Sequence, residues 1–241
     1  NADKIPRLQQ ARAWALRDED RAFVDAALKS VGGQLGEEGF QPMFDGKSLA
    51  NWKGGDGWWQ AKDGILQAQS SEEKPCKKNS HLIWTGGQPG DFELRAEFKL
   101  SPTANSGIQL RALDQEFGDS GYQADMNGGG DYVGFLYHPK QHLVGERGAK
   151  ITIAADGQKS VERFADAKEL GDKVFKKDDW NEYAIVAKGP TITLSVNGMK
   201  TCELTDLRPD MMPKNGFITL QMHAGPPMKI QYRNLHIKEL K

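Results

Sequence analysis

The chain has 241 residues, and its 32 Lys and Arg residues against 33 Asp and Glu residues give a formal net charge of −1. This balance argues against nucleic acid or an anionic membrane as the main partner, because such surfaces attract proteins with an excess of basic residues. No apolar run approaches the roughly 20 residues needed to span a bilayer, and a hydrophobic content of 38% is enough for a core and excludes general disorder.

The first segment with a regular pattern is helical and runs from about Pro6 to Val31. Apolar residues recur there at helical spacings, which predicts an amphipathic stripe. The acidic run at positions 18–20 is typical of a new helix N-terminus, and Gly32 and Gly33 end the pattern. We therefore expect residues 1–36 to form an extension of two short helices, which either packs on the main domain or binds a partner.

From Phe40 onward the pattern changes to the alternation that is typical of strands. The clearest strand is predicted from Phe92 to Leu100, with others at positions 183–186, 192–196, 217–222 and 228–240. Asn197-Gly198 predicts a tight hairpin turn, and a change of parity across Arg233-Asn234 predicts a bulge. Many strands without intervening helices favour an all-β sandwich over residues 37–241.

Polar side chains fall on one parity in several of these strands. Because alternate residues of a strand share a face, neighbouring strands would bring seven polar groups together: Glu97, Gln109, Arg111, Gln123, Asp125, Gln221 and His223. Amide and guanidinium groups offer fixed donors and acceptors that suit sugar hydroxyls. The face is interpreted either as an ordinary solvated surface or as a surface that binds sugars.

Loops next to the strands supply candidate walls for a pocket. The Gly-rich run 127–132 is interpreted as a mobile lid or a sugar-contacting loop, because no helix follows it to bind phosphate. Tyr137, in the run after this loop, is a further candidate for substrate binding. Trp58 and Trp59 either stack on sugar rings or pack in the core.

The histidine and cysteine spacings predict neither a metal site nor another cofactor. His138 and His142 are four residues apart, but Pro139 between them argues against a shared helix face. Cys76 and Cys202 fit one disulfide as well as two free thiols. The chain begins at Asn1 without Met, as a trimmed exported protein or a recombinant fragment would, so a secreted or periplasmic location is expected.

Several short motifs together resemble the 3-keto-disaccharide hydrolase domain family. They are Met43–Leu49 with Trp52, Asp91–Leu94, Asn105–Ile108 with Arg111, Tyr122–Asp125, Trp180–Tyr183, Asn197-Gly198, Gly216–His223 and Tyr232–Leu240. They cover most of the chain apart from the helical extension, and Tyr232 stands where Phe is more usual. The resemblance implies a concanavalin A-like jelly roll of two curved antiparallel sheets, and action on glycosides oxidised to a ketone at carbon 3.

The chemistry that the resemblance implies gives roles to the polar face. A ketone at carbon 3 acidifies the hydrogen on carbon 2, and its loss gives an enediolate that expels the group on carbon 1 before water adds. We predict His223 as the base, because imidazoles titrate near neutral pH, and Arg111 as the group that stabilises the enediolate. Asp125 or Glu97 would protonate the leaving group or orient His223. The remaining substrate contacts are assigned to Gln109, Gln123, Tyr137 and Gln221.

Two other functions stay open on the sequence. Glu97 and Asp125 would be the carboxylate pair of an enzyme that hydrolyses an ordinary glycosidic bond. Alternatively the domain binds carbohydrate without catalysis, since the implied fold also serves lectins. In all three cases the expected partner is a small glycoside or oligosaccharide, and the sequence does not indicate the oligomeric state.

Overall fold

The computed structural model describes residues 39–113 and 120–241. The helical extension predicted over residues 1–36 lies outside the described residues. In the described ranges, no helix is both long enough and apolar enough to cross a membrane.

Strands form most of the regular structure in these ranges. Their bounds are β1 Gln41–Pro42, β2 Trp52–Gly54, β3 Trp59–Lys62, β4 Ile65–Gln69, β5 Ser80–Trp84, β6 Phe92–Leu100, β7 Asn105–Ala112, β8 Tyr122–Asn127, β9 Leu136–His138, β10 His142–Gly145, β11 Ala149–Ile153, β12 Lys159–Arg163, β13 Asn181–Lys188, β14 Thr191–Val196, β15 Met199–Asp206, β16 Phe217–Met222 and β17 Lys229–Glu239. A 3₁₀ helix at Gly55–Gly57 and the α-helix α1 at Ala167–Val174 accompany them.

The strands form two sheets in which nearly all neighbours are antiparallel. The larger sheet has the order β12-β11-β15-β14-β13-β6-β17-β4-β3, and the seven-stranded sheet has the order β10-β9-β8-β7-β16-β5-β2. In the larger sheet β11 and β15 run parallel. The long crossovers between strands that are distant in sequence are those of a jelly-roll-like sandwich, so the predicted all-β class is confirmed.

The core lies between the two sheets. Because side chains alternate along each strand, the apolar residues of both sheets face this core. Every second residue of β6 is buried along its whole length. Two buried tyrosines of the larger sheet reach across this core. The Tyr183 hydroxyl donates to the Asp125 carbonyl at 2.6 Å, and the Tyr232 hydroxyl lies 2.8 Å from Ser106 Oγ. Because a buried phenol needs a partner, these bonds hold β8 and β7 at a fixed place above the larger sheet.

Two predictions about local backbone are confirmed. Asn197 and Gly198 both have positive φ, 49° and 79°, as a two-residue hairpin turn requires. The register between β17 and β6 shifts between Arg233 and His236, and Asn234 has φ 51°. An inserted residue reverses the alternation, so the apolar residues on both sides of this bulge face the core.

The tryptophan pair and the two cysteines are structural. Trp59 is buried and its ring lies 6.1 Å from that of Tyr232, while Trp58 is half-buried with Lys74 Nζ 4.5 Å from its ring centre. Cys76 and Cys202 are buried free thiols and form no disulfide. Burial raises the pKa of both thiols, that of Cys202 to about 12. Neither tryptophan lines the cavity on the outer face of the seven-stranded sheet.

Candidate functional site

A cavity of about 410 Å³ lies on the face of the seven-stranded sheet that points away from the core. Its volume is in the range of small-molecule sites, roughly 300–1,000 Å³. The side chains around it are Asn79, Asn105, Gln123, Asp125, Tyr132, Tyr137, Pro139, Leu143, Gln221 and His223. The structure therefore brings together five of the predicted site residues: Gln123, Asp125, Tyr137, Gln221 and His223.

The register of the seven-stranded sheet explains why these side chains meet. Residues directly opposite in neighbouring strands share a face. One such row crosses β16, β7, β8 and β9 through Thr219, Gln109, Gln123 and Tyr137. Asp125, Gln221 and His223 have the same parity as the row residues of their own strands. The parity argument made from sequence therefore holds for these residues of β7, β8 and β16.

Asp125 is the carboxylate of the cavity, and the part of the chain that the structure describes provides no other among the lining residues. Its side chain is only 8% exposed. Oδ1 accepts hydrogen bonds from the Met126 amide at 3.1 Å and from Gln123 Nε2 at 3.3 Å. Burial raises the pKa of Asp125 to about 7, and these hydrogen bonds oppose the rise without cancelling it. A substantial fraction of Asp125 is therefore protonated at neutral pH.

An amide pair fixes the floor of the cavity beside Asp125. Gln123 Nε2 donates to Gln221 Oε1 at 3.2 Å as well as to Asp125. Because Oε1 of Gln221 is the acceptor, the orientation of its amide is set and its N–H groups are directed elsewhere. Gly107 lies opposite Asp125, and a Cβ there would be 2.3 Å from Gln123 Cδ. The bare backbone of Gly107 thus makes the room in which Gln123 reaches its partners.

His223 follows β16 directly and is held in one tautomer. Its Nδ1 lies 2.6 Å from the Ala224 carbonyl oxygen. A carbonyl only accepts, so Nδ1 carries the proton and Nε2 of the neutral ring keeps its lone pair. The backbone around it is fixed, because the His223 amide donates to the Asn105 carbonyl at 3.3 Å and the Ala224 amide to Asn79 Oδ1 at 2.9 Å. In this tautomer Nε2 is the ring nitrogen that can accept a proton.

Gln109 shares the face but does not line the cavity, which corrects its predicted role in substrate binding. Its Nε2 donates to the Ser120 carbonyl at 2.5 Å, and its Oε1 accepts from Thr219 Oγ1 at 3.1 Å. Both ends of the amide are therefore occupied by protein. Gln109 supports the row of side chains and is not positioned to hold a hydroxyl.

Arg111 lies at a different place in the fold, so its prediction as the stabiliser of an enediolate is wrong. Its φ is 53°, and this left-handed conformation breaks the alternation that would have kept the side chain in the row. The guanidinium donates to the carbonyls of Gly90 and Gly189 at 2.8 and 2.7 Å and pairs with Asp91 at 3.1 Å. It belongs to a second cavity of about 500 Å³ and ties together loops of the sandwich.

Glu97 is also absent from the cavity, and the prediction that it joins Asp125 is wrong. It lies in β6 of the larger sheet, and its parity turns it away from the core. Arg233 Nε and Asn234 Nδ2 each donate to its carboxylate at 2.6 Å. Since Glu97 and Asp125 lie on the outer faces of opposite sheets, the carboxylate pair required for ordinary glycoside hydrolysis is not assembled from these two residues.

The Gly-rich loop after β8 forms a fixed wall. Arg147 donates to the carbonyls of Gly130 and Val133 at 2.9 and 2.7 Å, and the Gly134 amide donates to the Tyr183 hydroxyl at 2.5 Å. The loop is thereby attached to buried groups, which does not support its interpretation as a mobile lid. Tyr132 of this loop lines the cavity, as a substrate-contacting loop would place it.

His138 and His142 lie in the hairpin of β9 and β10, opposite each other rather than on a helix. His138 is buried, accepts from the Lys140 amide at Nδ1, and has its pKa lowered by burial. Among the described residues, no three His, Cys, Asp or Glu side chains converge as metal ligands would. The expectation that these histidines share no helix face is confirmed.

Sequence reasoning missed four residues of the cavity wall, namely Asn79, Asn105, Pro139 and Leu143. One of them had a usable signal, since Asn105 has the same parity as Gln109 in β7. Asn79 precedes β5, a strand whose mostly apolar sequence gives no alternation to read. Pro139 reaches the cavity from the turn between β9 and β10, where parity does not apply, and Leu143 lies in β10, a short strand that the sequence analysis did not predict.

Comparison with known proteins supports the fold and the family. Residues 39–238 match the family described as 3-keto-alpha-glucoside-1,2-lyase-like domain, whereas a search of curated proteins finds no match. A solved protein of Parabacteroides distasonis ATCC 8503, provisionally named a glycosyl hydrolase, is 21% identical, with 83% of this chain and 99% of that one covered and a TM-score of 0.57. The carbohydrate-binding module CBM66 of Bacillus subtilis is 12% identical, with 78% and 96% covered and a TM-score of 0.51.

These likenesses place the chain in a fold that serves glycosyl hydrolase-like and carbohydrate-binding proteins. At identities of 21% and 12%, these similarities establish the fold and not an activity, because one fold hosts many chemistries. The assignment of an activity to this chain has to come from the side chains that line its own cavity.

Proposed function

Because the chain belongs to the 3-keto-alpha-glucoside-1,2-lyase-like family, we propose that it cleaves glycosides whose sugar carries a ketone at carbon 3. The observation that supports this proposal is the presence of His223 and Asp125 in one cavity. His223 offers Nε2 as a proton acceptor, and Asp125 offers a carboxyl group whose pKa is raised to about 7. A base and an acid in one site are what an elimination across carbons 1 and 2 requires.

The first step is removal of the proton on carbon 2. His223 Nε2 accepts this proton, the electrons of the C–H bond form a double bond between carbons 2 and 3, and the carbonyl oxygen takes up the negative charge. Protonation of Nε2 converts the His223 side chain to an imidazolium, whose Nδ1–H remains hydrogen-bonded to the Ala224 carbonyl. General-base catalysis of this kind contributes roughly 10²–10⁴-fold to a rate.

The enediolate oxygen needs hydrogen-bond donors that are already in place. Arg111 is paired elsewhere, so the donors come from the amide groups on the cavity floor. Gln221 uses its Oε1 as an acceptor for Gln123, which leaves the Nε2–H groups of Gln221 as donors for the substrate. The hydrogen bond from Gln123 thus orients the amide group of Gln221 before negative charge develops on the substrate oxygen.

The second step expels the group on carbon 1. The electrons of the enediolate reform the carbonyl at carbon 3 and make a double bond between carbons 1 and 2, while the bond from carbon 1 to the leaving oxygen breaks. Asp125 protonates that oxygen, and its raised pKa provides the proton at neutral pH. The products are an unsaturated ketone and a free alcohol, and addition of water at carbon 1 completes a net hydrolysis.

The test compares a 3-keto-disaccharide with its unoxidised parent and follows the products by NMR. Conversion of the ketone alone, through an unsaturated ketone, is the expected result. Cleavage of the parent at a similar rate would contradict the proposal and favour direct hydrolysis. If neither compound reacts and both bind, the domain is a carbohydrate-binding module.

A further inference from the structure

The cavity has two halves of different chemistry. One half, around β8 and β16, presents side chains that can all form hydrogen bonds: Asn79, Asn105, Gln123, Asp125, Gln221 and His223. The other half lies over the β9–β10 hairpin and the Gly-rich loop, and presents Tyr132, Tyr137, Pro139 and Leu143. We call this second group the apolar wall. The proposed chemistry makes use of the polar half alone.

The apolar wall continues the row of side chains that carries the amides. Tyr137 of β9 lies opposite Gln123 of β8, and Leu143 of β10 lies opposite Tyr137. Polar groups thus give way to apolar ones toward the edge of the sheet. Neighbouring strands are about 5 Å apart, so Leu143 stands about 10 Å from the strand that carries Asp125. A ring attached to a leaving oxygen beside Asp125 would extend toward Tyr137 and Leu143, which line the same cavity.

The apolar wall exposes hydrophobic surface that a ligand would cover. Tyr132 and Leu143 are each 40% exposed. They are two of the six large hydrophobic side chains this exposed in the described ranges, and both line this one cavity. Binding is favoured when a ligand removes such apolar surface from water. Exposed hydrophobic groups gathered at a cavity are typical of a binding surface.

The apolar wall is already held in place. The Tyr132 amide donates to Asn127 Oδ1 at 3.0 Å, and the Tyr137 ring packs edge-on against His142 with centroids 6.1 Å apart. A wall that is fixed in advance loses little conformational freedom on binding, so more of the contact energy appears as affinity.

We propose that the apolar wall binds an apolar ring of the leaving group, so that the enzyme prefers 3-keto-glucosides of aromatic alcohols to 3-keto-disaccharides. A second sugar in this place would turn hydroxyl groups toward Leu143 and Pro139, whose side chains form no hydrogen bonds. Hydroxyls that lose water without gaining a partner weaken binding. The inference rests on the proposed function for the identity of the site, and concerns only what the leaving group is.

The test uses two ketones that leave as primary alcohols, so that the chemistry of departure is matched. They are benzyl 3-keto-α-glucoside and the isomaltose derivative whose non-reducing sugar carries the ketone. We expect kcat/KM to be about tenfold higher for the benzyl compound, a usual size of discrimination in an apolar pocket. Equal values, or a preference for the disaccharide, would overturn the inference.

The Leu143→Asn variant separates this wall from the rest of the site. It should lower kcat/KM for the benzyl ketone about tenfold and raise that for the disaccharide ketone, because the Asn amide can form hydrogen bonds with sugar hydroxyls. Leu207→Asn is the matched control, because Leu207 is also an exposed leucine and lies outside this cavity. A loss with Leu143→Asn that is equal for both ketones would contradict the inference.

A binding measurement keeps the inference testable if the proposed function fails. Calorimetry with His223→Ala gives the Kd of each ketone without turnover. About tenfold tighter binding of the benzyl ketone, abolished by adding Leu143→Asn, supports the apolar wall even if the wild type converts neither ketone. Turnover of both ketones together with equal Kd values would leave the proposed function standing and sink this inference.

Discussion

Replacement of Asp125 by Asn tests the electrostatics of the cavity most sharply. Asn has nearly the shape of Asp, and its carbonyl oxygen can still accept from the Met126 amide and from Gln123 Nε2. The variant lacks only the ability to ionise and to give up a proton. It should therefore fold, bind, and fail to protonate the leaving oxygen.

The size of the effect on stability follows from the pKa of Asp125. The pKa is about 7 in the folded chain against an ordinary 3.8, so between these values the folded protein holds a proton that the unfolded chain has lost. Stability therefore falls as pH rises from about 4 to about 7 and is then level. At 1.36 kcal/mol per pKa unit, the whole difference is about 4 kcal/mol, of which about 3 kcal/mol is lost between pH 5 and pH 8.

The assay is urea unfolding of the wild type and Asp125→Asn at pH 5 and pH 8. Other titrating groups contribute to both proteins, so the difference between the two pH dependences isolates Asp125. We expect the wild type to lose about 3 kcal/mol more than the variant over this interval. The wild-type rate should also fall above pH 7, as Asp125 loses the proton that it gives to the leaving group. Parallel pH dependences of stability would refute the raised pKa.

Three further substitutions test the placement of single residues. Gly107→Ala places a Cβ 2.3 Å from Gln123 Cδ. It should therefore lower kcat/KM at least tenfold and the free energy of unfolding by about 1–3 kcal/mol, which activity assays and urea unfolding measure. Glu97→Gln should leave kcat/KM unchanged, and a large loss would contradict its position on the opposite sheet. Arg111→Lys should lower the melting temperature and cost about 1–3 kcal/mol through lost hydrogen bonds, with kcat/KM of the folded fraction kept; selective loss of activity would restore its catalytic role.

Much of the sheet structure could be predicted because alternation is a local property of the chain. The predicted strand from Phe92 to Leu100 and the strand at 217–222 have those bounds in the structure. The bulge near Asn234 was also visible as a change of parity. Each of these features depends on residues within one strand, so the sequence contains the information.

The site could be predicted only in part, because parity gives a face of a strand and not the sheet to which it belongs. Asp125 and Gln221 meet since β8 and β16 both flank β7. Glu97 has the right parity in a strand of the other sheet. Arg111 fails for another reason, because a positive φ interrupts the alternation at that residue. Neither strand order nor a single unusual dihedral angle is encoded in a local hydrophobic pattern.

The central claim is that His223 takes a proton from carbon 2 of a 3-keto-glucoside within the cavity that holds Asp125. Its most direct test is an NMR time course of such a ketone in D₂O with the wild type, with His223→Ala and without enzyme. The account predicts that the wild type converts the ketone to an unsaturated product or places deuterium at carbon 2, and that His223→Ala does so at least about 10²-fold more slowly. A His223→Ala protein that matches the wild type, or a wild type that does no more than buffer, would contradict it.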